Sequence, residues 1–216
     1  MDFLKDKIKY MEMDLDEKRA GYHCKNGYIT QDDIPTWTEY SKNISRIHYS
    51  SEDRIDETLN SKVSIFVGDI TTLEIDAIVN SEDHSAFLDG AYFRDIRVVA
   101  GPIHKAAGKS FSAECISLKG CERGDAKFTG GYQLPARYVI HTVGPLGEQP
   151  DLLRSCYLNS LNIAKRKGWK TIAFPCISTN YQYPREKAPH IALKVVREFL
   201  EKNPHVVRFA FMRREN

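Results

Sequence analysis

Five short stretches of the chain gather β-branched and aromatic residues: Lys62–Val67 (KVSIFV), Ile75–Val79 (IDAIV), Tyr138–Val143 (YVIHTV), Thr171–Ile177 (TIAFPCI) and Val206–Met212 (VVRFAFM). Their length and content predict strands. Between them, apolar residues recur at helical spacing. Leu153, Tyr157, Leu161 and Ala164 fall on one face of a helix that Asp151 can cap, and Gly168 stands where a helix C-terminus favours positive φ. A second helix is predicted after Pro184, with Ala192, Val195, Val196 and Phe199 on its inner side and an end near Asn203–Pro204. A third runs from about Pro102 to Cys115. Strands alternating with helices predict an α/β layered fold, its helices covering a mixed or mostly parallel sheet. Such folds place ligands just beyond the carboxyl ends of the strands.

The N-terminal part differs in texture. Leu4, Ile8, Met11 and Leu15 recur at helical spacing, which predicts a short amphipathic helix. The stripe is narrow and both signs of charge flank it, so the helix is expected to pack on its own domain rather than on a partner or a membrane surface. From Thr38 to Asn60 the residues are mainly Ser, Asn, Asp and Glu, the texture of a linker. Residues 1–60 therefore read as a helical extension and linker, and residues 61–216 as the main domain.

Composition narrows the function classes. A chain of 216 residues suffices for one good hydrophobic core. With 31 basic against 29 acidic side chains the net charge is only +2, too weak a field to argue for nucleic acid, so no sequence-specific nucleic-acid partner is expected. Cys24, Cys115, Cys121, Cys156 and Cys176 are odd in number and contain no C-x-x-C pair, which fits neither a disulfide framework nor a zinc site and points to a reducing compartment. Met1–Leu15 offers no apolar block of the kind a secretory signal needs, and no run approaches a membrane span. A soluble intracellular protein without a membrane partner is expected.

Two strand ends carry candidate chemistry. Val67 runs into Gly68-Asp69-Ile70-Thr71, a tight turn whose carboxylate can either cap the turn or accept from an exocyclic amine such as adenine's. After Ala173, the apolar run AFPCI stops at Ser178-Thr179 and leads through Asn180, Tyr181, Gln182 and Tyr183 to the helix entered at Pro184. Backbone amides beside a helix N-terminus favour an anion such as a diphosphate, although an ordinary capped loop reads equally well. The G-x-G-x-x-G of nicotinamide dinucleotide enzymes and the G-x-x-x-x-G-K-[ST] phosphate loop are both absent. Cys176 inside its apolar run and His141 inside YVIHTV read as core residues rather than as nucleophile and base.

Four ordered segments, VGDITTLEIDAIVN (Val67–Asn80), IHKAAG (Ile103–Gly108), GDAKFTGGYQLPARYVIHTVGP (Gly124–Pro145) and AFPCISTNYQYP (Ala173–Pro184), closely resemble the macrodomain family in its MacroD-type branch. IPTW (Ile34–Trp37) resembles that branch's helical extension, and the similarity covers essentially the whole chain. The resemblance implies a three-layer α/β/α macrodomain with a central mixed sheet and an N-terminal helical extension. It implies a protein that binds ADP-ribose, removes mono-ADP-ribose from acidic side chains of modified proteins and deacetylates O-acetyl-ADP-ribose. It further implies no metal and no other cofactor, and a monomer in the cytoplasm or nucleus. Carried over by position, Asp69 would accept from the adenine amine with Gly68 and Ile70 beside it, and Asn80 would begin the loop around the distal ribose. Ser178, Thr179, Asn180, Tyr181, Gln182 and Tyr183 would form the diphosphate wall.

The chain departs from the family pattern where the distal ribose would sit. Asn80–His104 reads NSEDHSAFLDGAYFRDIRVVAGPIH, longer than the family's loop and almost without its glycines, whose backbones approach a pyrophosphate closely. Asp83 stands where the family has a second asparagine and Ala100 where it has its catalytic aspartate. Asp89, next to Gly90, and Asp95 are the displaced candidates that, together with Asn80, would orient the attacking water toward the distal ribose. STNYQYP is shorter than the family's phosphate loop and lacks both its glycines, and Arg214 takes the place of the adenine-stacking aromatic. The chain also stops at Asn216, before the family's last helical segment. Two alternatives follow: an ADP-ribose reader without turnover, or a scaffold whose pocket is closed by Phe87, Tyr92, Phe93 and Tyr181.

Overall fold

The computed structural model of the chain describes residues 2–44, 55–82, 100–178, 182–204 and 208–213. In chain order its elements are α1 (Phe3–Glu12), α2 (Leu15–Ala20), β1 (Ile29–Thr30), α3 (Trp37–Ser41), α4 (Glu57–Asn60), β2 (Val63–Val67), β3 (Leu73–Glu74), β4 (Ala77–Glu82), α5 (Ala100–Ala107), α6 (Lys109–Ser117), β5 (Ala126–Gly130), β6 (Tyr138–Val143), α7 (Pro150–Lys167), β7 (Thr171–Phe174), α8 (Ala188–Lys202) and β8 (Arg208–Arg213). Six strands form one sheet in the order β2-β8-β7-β4-β6-β5. Only the edge strand β5 runs antiparallel, so the other five open toward the same side.

Side-chain alternation along the strands builds three layers. Ala77, Val79, Ile140, Ile172 and Phe174 point to one face, where Leu153, Tyr157 and Leu161 of α7 and Val195, Val196 and Phe199 of α8 cover them. Their neighbours Ile78, Val139, Ala173 and Ala210 point to the other, beneath Ile103, Ala106 and Ala107 of α5 and Phe111 and Cys115 of α6. Strands buried on both faces are apolar without alternation, which is why the short runs were visible in the sequence. Each large aliphatic buried this way contributes about 1.5–3 kcal/mol.

Element boundaries differ from the sequence expectation where tertiary context intervenes. β7 ends at Phe174 rather than Ile177 because Pro175 has no N–H to continue the ladder. β4 starts later than Ile75 and continues through Asn80, Ser81 and Glu82, polar residues that pair with His141, Thr142 and Val143 of β6. The helix expected over Pro102–Cys115 is two helices broken at Gly108, whose φ of 89° only glycine adopts readily. α7 begins at Pro150, with Asp151 in its first turn and not as a side-chain cap, and ends at Gly168 in the left-handed conformation as expected. β5 was missed because an edge strand reading AKFTG has no apolar run.

The extension is tied to the same core. Ile34 and Tyr22 are buried, and β1 pairs with β3 in parallel. Arg19 donates to both carboxylate oxygens of Glu74 at 2.8 and 2.7 Å, and the Tyr22 hydroxyl donates to Glu74 at 2.9 Å. α1 docks through its polar side: Lys7 pairs with the buried Glu114, which also accepts from Gly130 N–H and Tyr132 O–H, and Ser110 donates to Asp6. The predicted stripe does not face the domain. Leu4, Ile8, Met11 and Leu15 are 57, 54, 55 and 44 % exposed. The polar stretch Thr38–Asn60, expected as a linker, carries most of α3 and all of α4, capped by Thr36 and Asp56.

Candidate functional site

The five parallel strands end on one edge, and the chain reverses its direction of travel there. From β4 it moves out to β6 and β5, then crosses back through α7 to β7 and through α8 to β8. β4 therefore lies at the topological switch, where open α/β sheets leave a crevice. Asn80 sits in β4 near its carboxyl end and is fully buried.

At the exit of β2, Gly68 and Asp69 are exposed and Ile70 is buried. Asp69 Oδ1 accepts from the Thr71 N–H at 2.9 Å and the Thr71 hydroxyl at 2.8 Å, capping the 3-10 turn Ile70–Thr72. The cap uses one oxygen, and Oδ2 of the exposed carboxylate is left to accept from an amine. The cap is thus present, and it leaves the second oxygen of the carboxylate outside the turn. The turn leads directly into β3, which β1 clamps, so the extension braces the loop that carries Asp69.

At the exit of β7, Ser178 is held at φ 62°, a conformation non-glycine residues seldom adopt. Its side chain is buried and its Oγ has no hydrogen-bond partner among the described residues. The Oγ presses on Gly144 at the exit of β6: a Cβ built on Gly144 would lie 1.9 Å from it. Gly144 is fixed in turn by Arg123, whose Nη1 donates to the Gly144 carbonyl at 2.8 Å. Loops from the two neighbours of β4 therefore meet over its end. Gln182 also has φ 62° and is exposed, while Tyr183 is buried with its hydroxyl unpartnered. Burial raises the Tyr183 pKa, with Glu148 adding to the rise and Lys187 opposing it. Glu148 and Lys187 form an ion pair at 2.6 Å that links the loop after Gly144 to the loop before α8. Both side chains are half-exposed, so this tie is weak.

Two buried hydroxyls without partners among the described residues and a left-handed serine backbone cost stability, and such features cluster at functional sites. Of the residues expected in the site, Asn80, Gly68, Asp69, Ile70, Ser178, Gln182 and Tyr183 lie at or beside the strand exits. Asp83, Asp89, Gly90, Asp95, Thr179, Asn180 and Tyr181 lie outside the described residues, as do Phe87, Tyr92, Phe93 and Arg214. Gly144 and Arg123 were missed; the only sequence signal was a glycine directly after an apolar strand. Cys176 corrects its expectation: it is exposed, because the strand has already ended at Phe174 and the side chain points off the sheet. His141 is the buried, bonded strand residue expected. Among the described residues no group of three or more His, Cys, Asp or Glu could hold a metal.

A family model for the macro domain matches residues 92–192. ADP-ribose glycohydrolase MACROD1 of Rattus norvegicus is 42% identical over 194 residues, covering 87% of this chain and 72% of that protein. ADP-ribose glycohydrolase MACROD2 of Xenopus laevis is 44% identical over 207 residues, covering 92% of this chain and 47% of that protein. The chain thus spans about half the length of the curated relatives it matches first. Among solved structures, the Trypanosoma brucei macrodomain in complex with ADP superposes with a TM-score of 0.77 at 32% identity, over 97% of this chain and 82% of that one.

Proposed function

The chain belongs to the macro domain family, and from that membership we propose that it binds ADP-ribose over the exits of β2, β4 and β7 and removes it by hydrolysis from acidic side chains of modified proteins or deacetylates O-acetyl-ADP-ribose. The observation that carries the reading is Ser178: a buried hydroxyl with no partner among the described residues, on strained backbone, at the strand exits beside the switch strand. Asp69 Oδ2 would take the adenine amine, while Ser178 with the amides toward Gln182 would meet the diphosphate, and Asn80 would face the distal ribose. The activity in the relatives' names, ADP-ribose glycohydrolase, supports turnover rather than binding alone. Cleaving an acyl-linked ribose requires a positioned water and a carboxylate to orient it, and Asp89 and Asp95 are the proposed carboxylates.

Titration calorimetry with ADP-ribose tests the binding half: saturable binding is expected, with Asp69→Asn weaker by about tenfold because the capping oxygen stays while Oδ2 becomes a donor. Release of ADP-ribose from a mono-ADP-ribosylated glutamate substrate tests the other half. Turnover unchanged in the Asp89→Ala/Asp95→Ala double variant would refute the carboxylate assignment.

A further inference from the structure

The extension grips the segment that follows Asp69 at one residue, Glu74, the last of β3. Arg19 of α2 donates to both Glu74 carboxylate oxygens, through Nε at 2.8 Å and Nη2 at 2.7 Å, and the Tyr22 hydroxyl donates to Oε2 at 2.9 Å. The guanidinium also lies over the Tyr28 ring, 4.8 Å from its centroid, and Tyr28 meets Tyr22 edge-on. A planar fork stacked on a ring and bonded twice to a carboxylate has one orientation, where a Lys would offer only a point charge. The Arg19 hydrogen bonding holds the Glu74 carboxyl below its usual pKa against the opposing effect of burial. The backbone is fixed alongside: β1 pairs in parallel with Leu73 and Glu74, and Leu73 is fully buried.

Between Asp69 and Glu74 the chain has little freedom of its own. Thr71 donates to Asp69 Oδ1 through both its N–H and its hydroxyl, and Thr72 donates to the Asp69 carbonyl through its N–H at 3.0 Å and its hydroxyl at 2.7 Å. The turn is tied to itself, so its place on the molecule is set by what holds its two ends. One end is Gly68, packed so closely that a Cβ there would lie 2.6 Å from the Phe66 Cζ. The other is Glu74. The extension also comes within electrostatic reach of the Asp69 carboxylate: burial raises the Cys24 thiol pKa, and the charges of Asp69 and Glu74 add to the rise. We infer, on the reading of Asp69 as the adenine contact, that Arg19 and Glu74 are positioning residues for base recognition: their clamp holds the Asp69 turn where its second carboxylate oxygen meets an exocyclic amine. The extension thereby sets base selectivity from behind the contact. A hydrogen bond weakens steeply off its line, so the carboxylate discriminates only while its distance and direction are kept. A base with a carbonyl in place of the amine sets acceptor against acceptor and is rejected.

Two measurements test this. Calorimetry compares ADP-ribose with its hypoxanthine analogue, inosine diphosphate ribose, which carries a carbonyl oxygen where adenine has its amine. Wild-type protein is expected to prefer ADP-ribose by about tenfold or more. Arg19→Ala should lose most of that preference, with ADP-ribose weakened, the analogue changed by less than about twofold, and no further effect on the ratio in the Asp69→Asn background. Glu74→Gln, which keeps the side chain's size, should lower the ratio in the same direction. Gly168→Ala, strained at the end of α7, is the control for lost stability and should leave the ratio unchanged. A wild-type ratio in Arg19→Ala, or an equal fall in Gly168→Ala, would overturn the inference. Hydrogen exchange of the ligand-free protein is the second arm: the Thr71 and Thr72 amides should exchange about tenfold faster in Arg19→Ala while those of α7 keep their rates. Unchanged rates at Thr71 and Thr72 would equally overturn it. If wild-type protein binds both nucleotides alike, or neither, the reading of Asp69 itself is overturned, a result distinct from wild-type selectivity that survives Arg19→Ala.

Discussion

Ser178 holds two costs in one residue. A buried hydroxyl without a partner costs about 1–3 kcal/mol, and left-handed backbone at a residue bearing a Cβ adds about 1 kcal/mol. Neither is repaid by a hydrogen bond among the described residues. Ser178→Ala should therefore keep or raise the melting temperature while weakening ADP-ribose binding about tenfold, read by thermal denaturation and calorimetry on the same sample. Gly144→Ala is the counter-case. Its new Cβ would meet the Ser178 Oγ at 1.9 Å and the Ile177 Cγ2 at 3.0 Å, so it should lower stability by about 1–3 kcal/mol and binding together. Ser178 was legible in the sequence, since an apolar run that stops at a hydroxyl is a local signal. Gly144 was not, because nothing local says that the exits of β6 and β7 meet over β4.

At the scale of elements, α7 shows how far a periodic pattern reaches. Leu153, Tyr157, Leu161 and Ala164 are all buried, and Gly168 ends the helix at φ 70° with nothing within 4 Å of the Cβ position. Gly168→Ala should thus cost about 1 kcal/mol from backbone strain alone, measured as a shift of the urea midpoint with unchanged slope. α1 shows where the pattern fails. Its apolar stripe of Leu4, Ile8 and Met11 is exposed, while Asp6, Lys7 and Tyr10 make the contacts that hold it to α6 and to Tyr132 in the turn after β5. Periodicity reports that a helix has an apolar side, but the docking face was chosen by the buried Glu114, whose carboxylate needs the Lys7 ammonium. Replacing Leu4 and Ile8 by Gln should leave stability within about 0.5 kcal/mol, whereas a stripe packed on the domain would lose several.

At the scale of the whole molecule, the extension, edge strand and sheet are joined through buried charge. Lys18 of α2 donates to the Pro135 carbonyl at 3.1 Å, and burial, reinforced by Arg137 and opposed by Glu74, lowers its pKa to about 8. The folded state releases this proton near pH 8 and the unfolded chain only near 10.5, so the unfolded state binds more protons between them. Stability attributable to Lys18 accordingly rises with pH across that window and is lowest below it. Relative to Lys18→Met, the wild-type protein should gain on the order of 2 kcal/mol between pH 8 and 10.5, followed by chemical denaturation at stepped pH. By itself the sequence determined most of the core strands, the long helices, and the local turn chemistry at Asp69 and Gly168, because each depends on neighbours within a few residues. Tertiary structure alone decided the rest: that Asn80 and His141, 61 residues apart, share one register; that Ser178 lies on Gly144; and that α1 turns its polar side inward. The physical reason is that side-chain period specifies which face of an element is apolar, whereas strand register and the pairing of buried polar groups are settled only when distant segments compete for the same space.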